Sequence, residues 1–414
     1  MKNVSLVYEM TDEIRKSVNS MENVMDDEAL MYVIQRMVLD DDRTSSMSLS
    51  EKSDIAEGIF SSIRRKLDFL ERYLADPDIS EIMVNGCRDI FIEKKGQVIK
   101  VEESFPGERE LEEVILRIAS KVYREINERN PILDARLDDG SRVHAVYKNI
   151  AIDGPVLNIR KFPQKRISSE DLIDSGTLTE KVCELLRVLV KAGYNIFISG
   201  GTSSGKTTLL NCLSDFIPSD QRVIVIEDSA ELDLSSIKNL VRMETRNANV
   251  QGKGEISMRN LIKASLRMRP DRIIVGEVRG GEVIDMISAM NTGHSGSLST
   301  GHANSAEGML SRLETMFLTS SSFPIDAVRG QIFSAIDIII HMGRLSDGSR
   351  KVLEISELSE FTDGKICLNQ LYLYDFDDKN DSGKLKWTGN MLKDSFRLEI
   401  AGYSDDEIKM LLEG

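Results

Sequence analysis

The clearest chemical signal in the sequence lies between residues 200 and 208. This stretch follows the pattern G-x-x-x-x-G-K-[ST], typical of loops that bind nucleotide phosphates, and consists of Gly200, Gly201, Thr202, Ser203, Ser204, Gly205, Lys206 and Thr207, followed by Thr208. An apolar, strand-like segment at residues 195–199 precedes the loop, and a leucine-rich helical pattern follows it. That context argues against a chance glycine-rich turn.

The residue types in this loop suit phosphate binding. Glycines let the backbone curl so that successive N–H groups point at the phosphates, and the start of the following helix adds a favourable dipole. We expect the ammonium of Lys206 to bridge the β- and γ-phosphates and the hydroxyl of Thr207 to ligate magnesium. The sequence therefore predicts that residues 200–208 bind ATP together with Mg²⁺.

A first carboxylate, Glu227, follows the apolar segment 222–226. In a parallel sheet the carboxyl end of such a strand lies on the same edge as the phosphate loop, so this group could orient or deprotonate the attacking water. Its neighbours Asp228 and Glu231 could equally be a solvated turn or a helix cap. Glu227 is our candidate for the general base.

A second carboxylate, Glu277, follows the apolar segment 271–275 and is expected at the same edge. Phosphoryl transfer requires such a group near the metal, either directly or through a water ligand. Glu277 follows Gly276, whereas an aspartate directly after the strand is commoner. Arg279 beside it could be a structural partner, and the sequence does not decide which of the two glutamates is the base.

Two of the four histidines, His294 and His302, lie in a stretch rich in small residues. Small neighbours allow a histidine to approach a charged group closely, so both side chains could contact the γ-phosphate or a catalytic carboxylate. A structural histidine is the alternative for each.

Composition limits the kinds of protein that fit. A chain of 414 residues with 41% hydrophobic and 29% charged residues is typical of a soluble protein of two or three domains. No segment is apolar enough to span a membrane, and the amino-terminal residues do not form a signal peptide, so we expect a cytoplasmic protein. The formal charge of −15 makes nucleic acid an unlikely main partner, although a local basic groove is compatible with it. The four dispersed cysteines indicate neither a zinc site nor disulfides.

The pattern of elements predicts an α/β fold with several domains. Residues 1–58 are expected to form a helical extension with an acidic linker, 59–165 a small α+β domain, and 166–175 a polar linker. Residues 176–414 alternate strands and helices as a P-loop, RecA-like ATPase domain does, with hairpins and a last helix in 343–414.

The order of these motifs resembles that of the ATPases of type II/IV secretion systems. The matching elements are called Walker A, Asp box, Walker B and His box in that family, and are here the phosphate loop, Ile226-Glu227-Asp228, residues 266–279, and residues 292–303. Upstream segments at residues 76–86 and 133–137 also match, so the resemblance covers about residues 60 to 340. The tetracysteine insert usual in type II assembly ATPases is absent, which makes the chain most similar to the CpaF-like motors of tight-adherence pili.

This resemblance implies a hexameric ring that holds nucleotide between an amino-terminal domain and the ATPase domain. It also implies that arginines from the amino-terminal side help to close the site, and Arg136, Arg142 and Arg160 are the matching candidates. A surface ion pair is the alternative for each arginine. The implied motor is cytoplasmic, peripheral to the inner membrane, and acts on a pilus or secretion platform protein.

Two other functions stay open at this stage. One is a DNA-translocating or conjugation ATPase, which single-stranded DNA should stimulate in a salt-dependent manner. The other is a nucleotide-gated scaffold with little turnover, although the presence of both Glu227 and Glu277 argues against it.

Overall fold

The computed structural model describes most of the chain as two compact units. The described residues are 27–45, 47–64, 69–122, 124–137, 139–162, 166–246, 253–377 and 382–413, together with Met10, Ile14 and Leu67. The units are Met1–Gln164 and Lys165–Gly414.

Unit 1 begins with helices. They are α1 (Asp27–Asp40), a 3₁₀ turn (Asp42–Thr44), α2 (Leu49–Arg64) and α3 (Leu70–Ala75). Helices α1 and α2 pack through apolar residues at helical spacing, among them Leu30, Ile34 and Ile59. Helix α2 begins inside the acidic, serine-rich run that the sequence indicated as a linker, because Ile55 and Ile59 give that run an apolar face.

The rest of unit 1 is an antiparallel sheet covered by a helix. Its strands are β1 (Ile79–Asn85), β2 (Asp89–Lys94), β3 (Gln97–Lys100), β4 (Ile132–Arg136), β5 (Arg142–Val146) and β6 (Val156–Arg160), in the order β3-β2-β1-β6-β5-β4. Helix α4 (Glu108–Lys121) buries Leu111, Val114 and Ile115 in the core of this sheet.

Unit 2 is built on a nine-stranded sheet. Its strands are β7 (Ile196–Gly200), β8 (Arg222–Glu227), β9 (Asn239–Glu244), β10 (Arg272–Val275), β11 (Leu298–His302), β12 (Ile338–Arg344), β13 (Arg350–Thr362), β14 (Lys365–Asp377) and β15 (Ser382–Trp387). The order is β15-β14-β13-β12-β7-β11-β10-β8-β9. The six strands from β12 to β9 run parallel, whereas β13, β14 and β15 are antiparallel.

Helices cover both faces of this sheet. They are α5 (Ser169–Asp174), α6 (Glu180–Ala192), α7 (Lys206–Ser214), α8 (Met258–Ser265), α9 (Glu282–Asn291), α10 (Ala306–Thr319), α11 (Ile325–Ala335), α12 (Phe396–Ile400) and α13 (Asp405–Leu412). Ile196 and Ile198 pack towards α6 and α7, and Phe197 between them packs towards α9 and α10. Burial on both faces explains why β7 is a continuous apolar run. The predicted α/β fold with a largely parallel sheet is confirmed.

The segment predicted as a polar linker, residues 166–175, contains helix α5. Ser168 caps this helix in a capping box with Asp171, and Leu172 is buried in the core of unit 2. One buried leucine among polar residues leaves a weak pattern, which is why the sequence suggested a connector. In the described part of the chain, no helix is long and apolar enough to cross a membrane.

Candidate functional site

The phosphate loop joins the carboxyl end of β7 to the start of α7. Gly205 has a φ of +95°, a conformation that favours glycine, and a β-carbon on Gly200 would lie 2.5 Å from the carbonyl oxygen of Met342. The side chain of Lys206 is buried, and its Nζ donates to the carbonyl oxygens of Gly200 at 3.1 Å and Gly201 at 2.7 Å. The loop is thus a tight curl with an ammonium group inside it.

His302 lies beside this ammonium because β11 pairs in parallel with β7. The register places His302 opposite Gly200, and Nδ1 of His302 lies 3.3 Å from Nζ of Lys206. Burial lowers the pKa of His302, Lys206 and Arg279 lower it further, and Glu277 opposes them. A neutral imidazole can accept a hydrogen bond from the lysine, as this geometry requires.

Glu277 completes the same cluster from the loop after β10. One carboxylate oxygen, Oε1, lies 2.8 Å from Nε2 of His302, and the other, Oε2, accepts a 2.7 Å hydrogen bond from Arg279. Burial alone would raise the pKa of Glu277, but the hydrogen bond from Arg279 and the charges of Arg279, His302 and Lys206 lower it overall. Lys206, the neutral His302 and Glu277 therefore form one chain of polar contacts at the carboxyl edge of the sheet.

Arg279 connects this chain to the loop after β8. Its Nη1 lies 3.5 Å from Oδ2 of Asp228 while its Nη2 bonds Glu277. The hydrogen bond to Glu277 raises the pKa of Arg279, so the guanidinium stays charged. The two loops that carry the predicted acidic residues are held together by one arginine.

Glu227 lies at the same edge, but its carboxylate bonds its own loop. Oε1 accepts hydrogen bonds from the backbone N–H groups of Glu231 at 2.8 Å and Leu232 at 3.0 Å, and the side chain is 4% exposed. Burial raises the pKa of Glu227, and these two N–H groups oppose the rise. A β-carbon on Gly276 would lie 3.1 Å from Cγ of Glu227, which explains the glycine before Glu277.

Comparison with known families agrees with this geometry. The sequence profile described as Type II/IV secretion system protein matches residues 64–371, which is most of the chain. This chain belongs to the type II/IV secretion system protein family. The resemblance seen in the sequence motifs is thereby confirmed at the level of the family.

Individual members of the family are also similar to the chain. A putative conjugal transfer protein of Mycobacterium tuberculosis is 30% identical over 303 residues, covering 72% of this chain and 85% of that protein. The type IV secretion system protein PtlH of Bordetella pertussis is 33% identical over 330 residues, covering 73% of this chain and 97% of that protein. The X-ray structure of the Legionella pneumophila ATPase DotB matches with a TM-score of 0.50 and 21% identity, covering 70% of this chain and 80% of that one, and supports the fold.

The family's His box is divided between the two edges of the sheet. His302 lies at the carboxyl end of β11, whereas His294 precedes the amino end and places Nδ1 3.1 Å from the carbonyl oxygen of Ala289 in α9. Five strand residues, about 13 Å, separate the two edges. The structure therefore does not bring His294 together with Lys206, His302 and Glu277, because strand β11 runs between the two histidines.

The small residues near His294 have a structural purpose. Arg272, 2% exposed, donates from Nη1 to the carbonyl oxygen of Gly296 at 3.1 Å and from Nε to Gln221 at 2.7 Å. A β-carbon on Gly296 would lie 1.8 Å from Nη1 of Arg272. This glycine makes room for a buried arginine at the amino edge, away from the phosphate loop.

Oxygen donors suited to magnesium are present in the cluster. Among the described residues, no group donates a well-formed hydrogen bond to the buried Oε1 of Glu277, although Nε2 of His302 is near it. Thr207 is the second residue of α7, with Thr208 beside it. Magnesium takes one or two such protein oxygens together with phosphates and water. Within the described ranges, no group of three His, Cys, Asp or Glu residues is placed to hold a metal ion.

The three candidate arginines form a row on the sheet of unit 1. Arg136 is opposite Arg142 across β4 and β5, and Arg142 is opposite Arg160 across β5 and β6. Opposite residues on paired strands project to the same face, so the three arginines share one face of the sheet. Nε of Arg136 donates to the carbonyl oxygen of Gly140 at 3.0 Å. The sequence motifs suggested each arginine singly and did not reveal the row.

Arg279 is the site residue whose importance sequence reasoning underestimated. Its position two residues after Glu277 suggested a local partner, but its contact with Asp228 depends on the pairing of β8 with β10. The pairing of adjacent parallel strands is the signal that would have found it.

Proposed function

We propose that this chain hydrolyses ATP with Mg²⁺ and uses the energy to drive secretion or pilus assembly at the inner face of the cytoplasmic membrane. The observation that carries the proposal is the chain of polar contacts from Lys206 through His302 to Glu277 at the phosphate loop. Membership of the type II/IV secretion system protein family supports it.

The roles of the site residues follow from their surroundings. Lys206 and residues 200–208 would bind the phosphates, and Thr207 and Glu277 would hold Mg²⁺, which would supply charge neutralisation at the phosphates. Glu277, half-buried and ionised, orients the attacking water, whereas Glu227 fixes the loop at Glu231 and Leu232. His302 positions Lys206 and Glu277 relative to each other. Arg136, Arg142 and Arg160 are proposed to assist turnover by stabilising developing charge.

The finer assignment within the family is also a proposal. We infer a homo-oligomeric, hexameric motor of the CpaF-like branch that serves tight-adherence pili and contacts an inner-membrane platform protein. The absence of a tetracysteine insert in the sequence supports this branch.

Phosphate release by Lys206→Ala tests hydrolysis at this site. The substitution removes the ammonium that would bridge the phosphates, so we expect release to fall at least about a hundredfold. Circular dichroism and thermal unfolding check the fold, and Lys238→Ala, at an exposed lysine of the same unit, is the matched control. Normal turnover in folded Lys206→Ala would refute the proposal.

A conjugation ATPase is the second candidate, and the similarity to a putative conjugal transfer protein favours it. Such an enzyme should be stimulated by single-stranded DNA, and the stimulation should decline as salt rises. The net charge of −15 argues for the first candidate. Co-purification from native membranes separates the two, since a pilus platform protein supports the motor and a nucleic-acid processing complex supports the alternative.

A further inference from the structure

The hairpin between β12 and β13 lies against the phosphate loop. Met342 of β12 pairs with Gly200 at the start of the loop. At the other end of the loop, a β-carbon on Gly205 would lie 3.3 Å from Cε of Met342 and 3.7 Å from Cγ of Arg350. The hairpin therefore contacts the loop at both of its ends.

Arg350, the first residue of β13, bonds the middle of the loop. Its Nε donates to the carbonyl oxygen of Ser203 at 3.3 Å, and its Nη1 donates to the carbonyl oxygen of Gly348 at 3.1 Å. Ser203 has a φ of +57°, a left-handed conformation that is unfavourable for a non-glycine residue. A loop that presents N–H groups to phosphates must turn its carbonyl groups away from them, and Arg350 bonds one such carbonyl.

The backbone of Arg350 is itself fixed by the segment after α5. The hydroxyl of Thr177 donates to the carbonyl oxygen of Arg350 at 2.9 Å, and the N–H of Val352 donates to the carbonyl oxygen of Thr177 at 3.2 Å. Lys351 bonds the carbonyl oxygens of Ser175 and Gly176 at 2.9 and 2.8 Å. Hydrogen bonds to the segment after α5 thus fix the backbone from which Arg350 reaches the loop.

We propose that Arg350 is a positioning residue for nucleotide binding, which holds Ser203 in the left-handed conformation that the phosphate-binding curl requires. This inference rests on the proposed function, because the loop is taken to bind ATP. Arg350 acts through the loop backbone, so its loss should weaken binding of phosphates more than it slows the chemical step.

The test measures the Kd for Mg²⁺-ADP by calorimetry, and KM and kcat for Mg²⁺-ATP, on the full chain. For Arg350→Ala we expect Kd and KM to rise about tenfold with kcat within about twofold. Arg350→Lys should recover part of the affinity, since it keeps a cation without the Nε donor geometry. Thr177→Val, which removes only the supporting hydroxyl, should give a smaller rise.

Arg344→Ala is the matched control, because Arg344 is the cross-strand partner of Arg350 on the same hairpin. Unchanged Kd in Arg350→Ala, or an equal rise in Arg344→Ala, would overturn the inference. Should Arg350→Ala not fold, Arg350→Lys and Thr177→Val carry the same comparison. Wild-type protein that fails to bind Mg²⁺-ADP would instead contradict the proposed function itself.

Discussion

At the scale of single residues, the two glutamates of the site have opposite surroundings. Glu277 is ionised beside Arg279 and His302, and its buried Oε1 lies 2.8 Å from Nε2 of His302. Glu227 is buried, its pKa is raised, and it accepts two backbone hydrogen bonds. The sequence placed both at one sheet edge but could not show where each carboxylate points, because that depends on the loop that follows each strand.

Glutamine substitutions should separate the two roles. We expect Glu277→Gln to lower kcat at least about a hundredfold while the protein still binds Mg²⁺-ATP, because an amide cannot take a proton or balance the metal charge. Glu227→Gln keeps an acceptor oxygen for its loop, so kcat should change less than in Glu277→Gln. The main effect of Glu227→Gln should be a lower melting temperature. Single-turnover phosphate release and thermal unfolding of both variants check this, and a larger kcat loss in Glu227→Gln would reverse the assignment.

We expect protonation of His302 to reduce activity at acidic pH. Burial lowers its pKa below the ordinary value of 6.5, so the imidazole is neutral above that value and gains a proton only as pH falls through the lowered pKa. A protonated ring no longer accepts from Lys206, so activity should be lost as pH falls through the lowered pKa. The stability linked to the neutral ring should decline between 6.5 and the lowered pKa, where the unfolded chain binds the proton and the folded chain does not.

The check is a profile of kcat/KM from about pH 5 to about pH 8. Wild-type activity should hold at neutral pH and decline on the acid side, and His302→Asn should be less active but lack this decline. His294→Asn, at the other sheet edge, is the control and should keep the wild-type profile. If His302→Asn showed the same decline of kcat/KM at acidic pH as the wild type, protonation of His302 would not be the cause of that decline.

At the scale of elements, the loops at the amino edge of the sheet stabilise the structure. Arg272 begins β10 and is buried against the backbone near Gly296, with burial lowering its pKa to about 10. The sequence motif at residues 292–303 contains both Gly296 and His302, so it suggested that Gly296 lies near the phosphate site. Only the length of the strand between them shows that they lie apart.

Gly296→Ala should therefore destabilise the fold. The new methyl group would collide with Arg272, and the φ of +77° is strained for alanine, so we expect a loss of about 2 to 4 kcal/mol in the free energy of unfolding. Gly293→Ala is the matched control, since its φ is +95° but no atom lies within 4 Å, and it should cost about 1 kcal/mol. Chemical denaturation measures both, and equal losses would show that crowding at Arg272 is unimportant.

Element prediction succeeded where the pattern was strong. The strand, loop and helix around Lys206 were predicted because β7 is apolar throughout and the glycine spacing is specific. Strands β4 and β9 leave only a weak pattern in the sequence, because each is an edge strand with few buried residues. Helix α5 was missed because it is short and mostly polar.

At the scale of the whole molecule, the family match covers both units. The α/β class and the family could be predicted from the sequence, because the order of the motifs identifies the family even where local patterns of helices and strands are weak. The arginine row could not be predicted, because Arg136, Arg142 and Arg160 meet only through the pairing of β4, β5 and β6.

Arg160→Ala tests whether unit 1 takes part in hydrolysis. We expect kcat to fall about tenfold or more with the Kd for Mg²⁺-ADP unchanged, as for a group that stabilises charge developing during the reaction. Arg109→Ala, at an exposed arginine of α4 in the same unit, is the control. A kcat of Arg160→Ala equal to that of the wild type would show that Arg160 does not assist hydrolysis.

The most direct measurement is an experimental structure of the full chain with Mg²⁺ and a non-hydrolysable ATP analogue. We predict that the phosphates contact Lys206 and the backbone N–H groups of residues 200–207, with the metal near Thr207 and Glu277 and with His302 in the same cavity. A nucleotide bound elsewhere, or at this loop without Glu277 near the metal, would contradict the account.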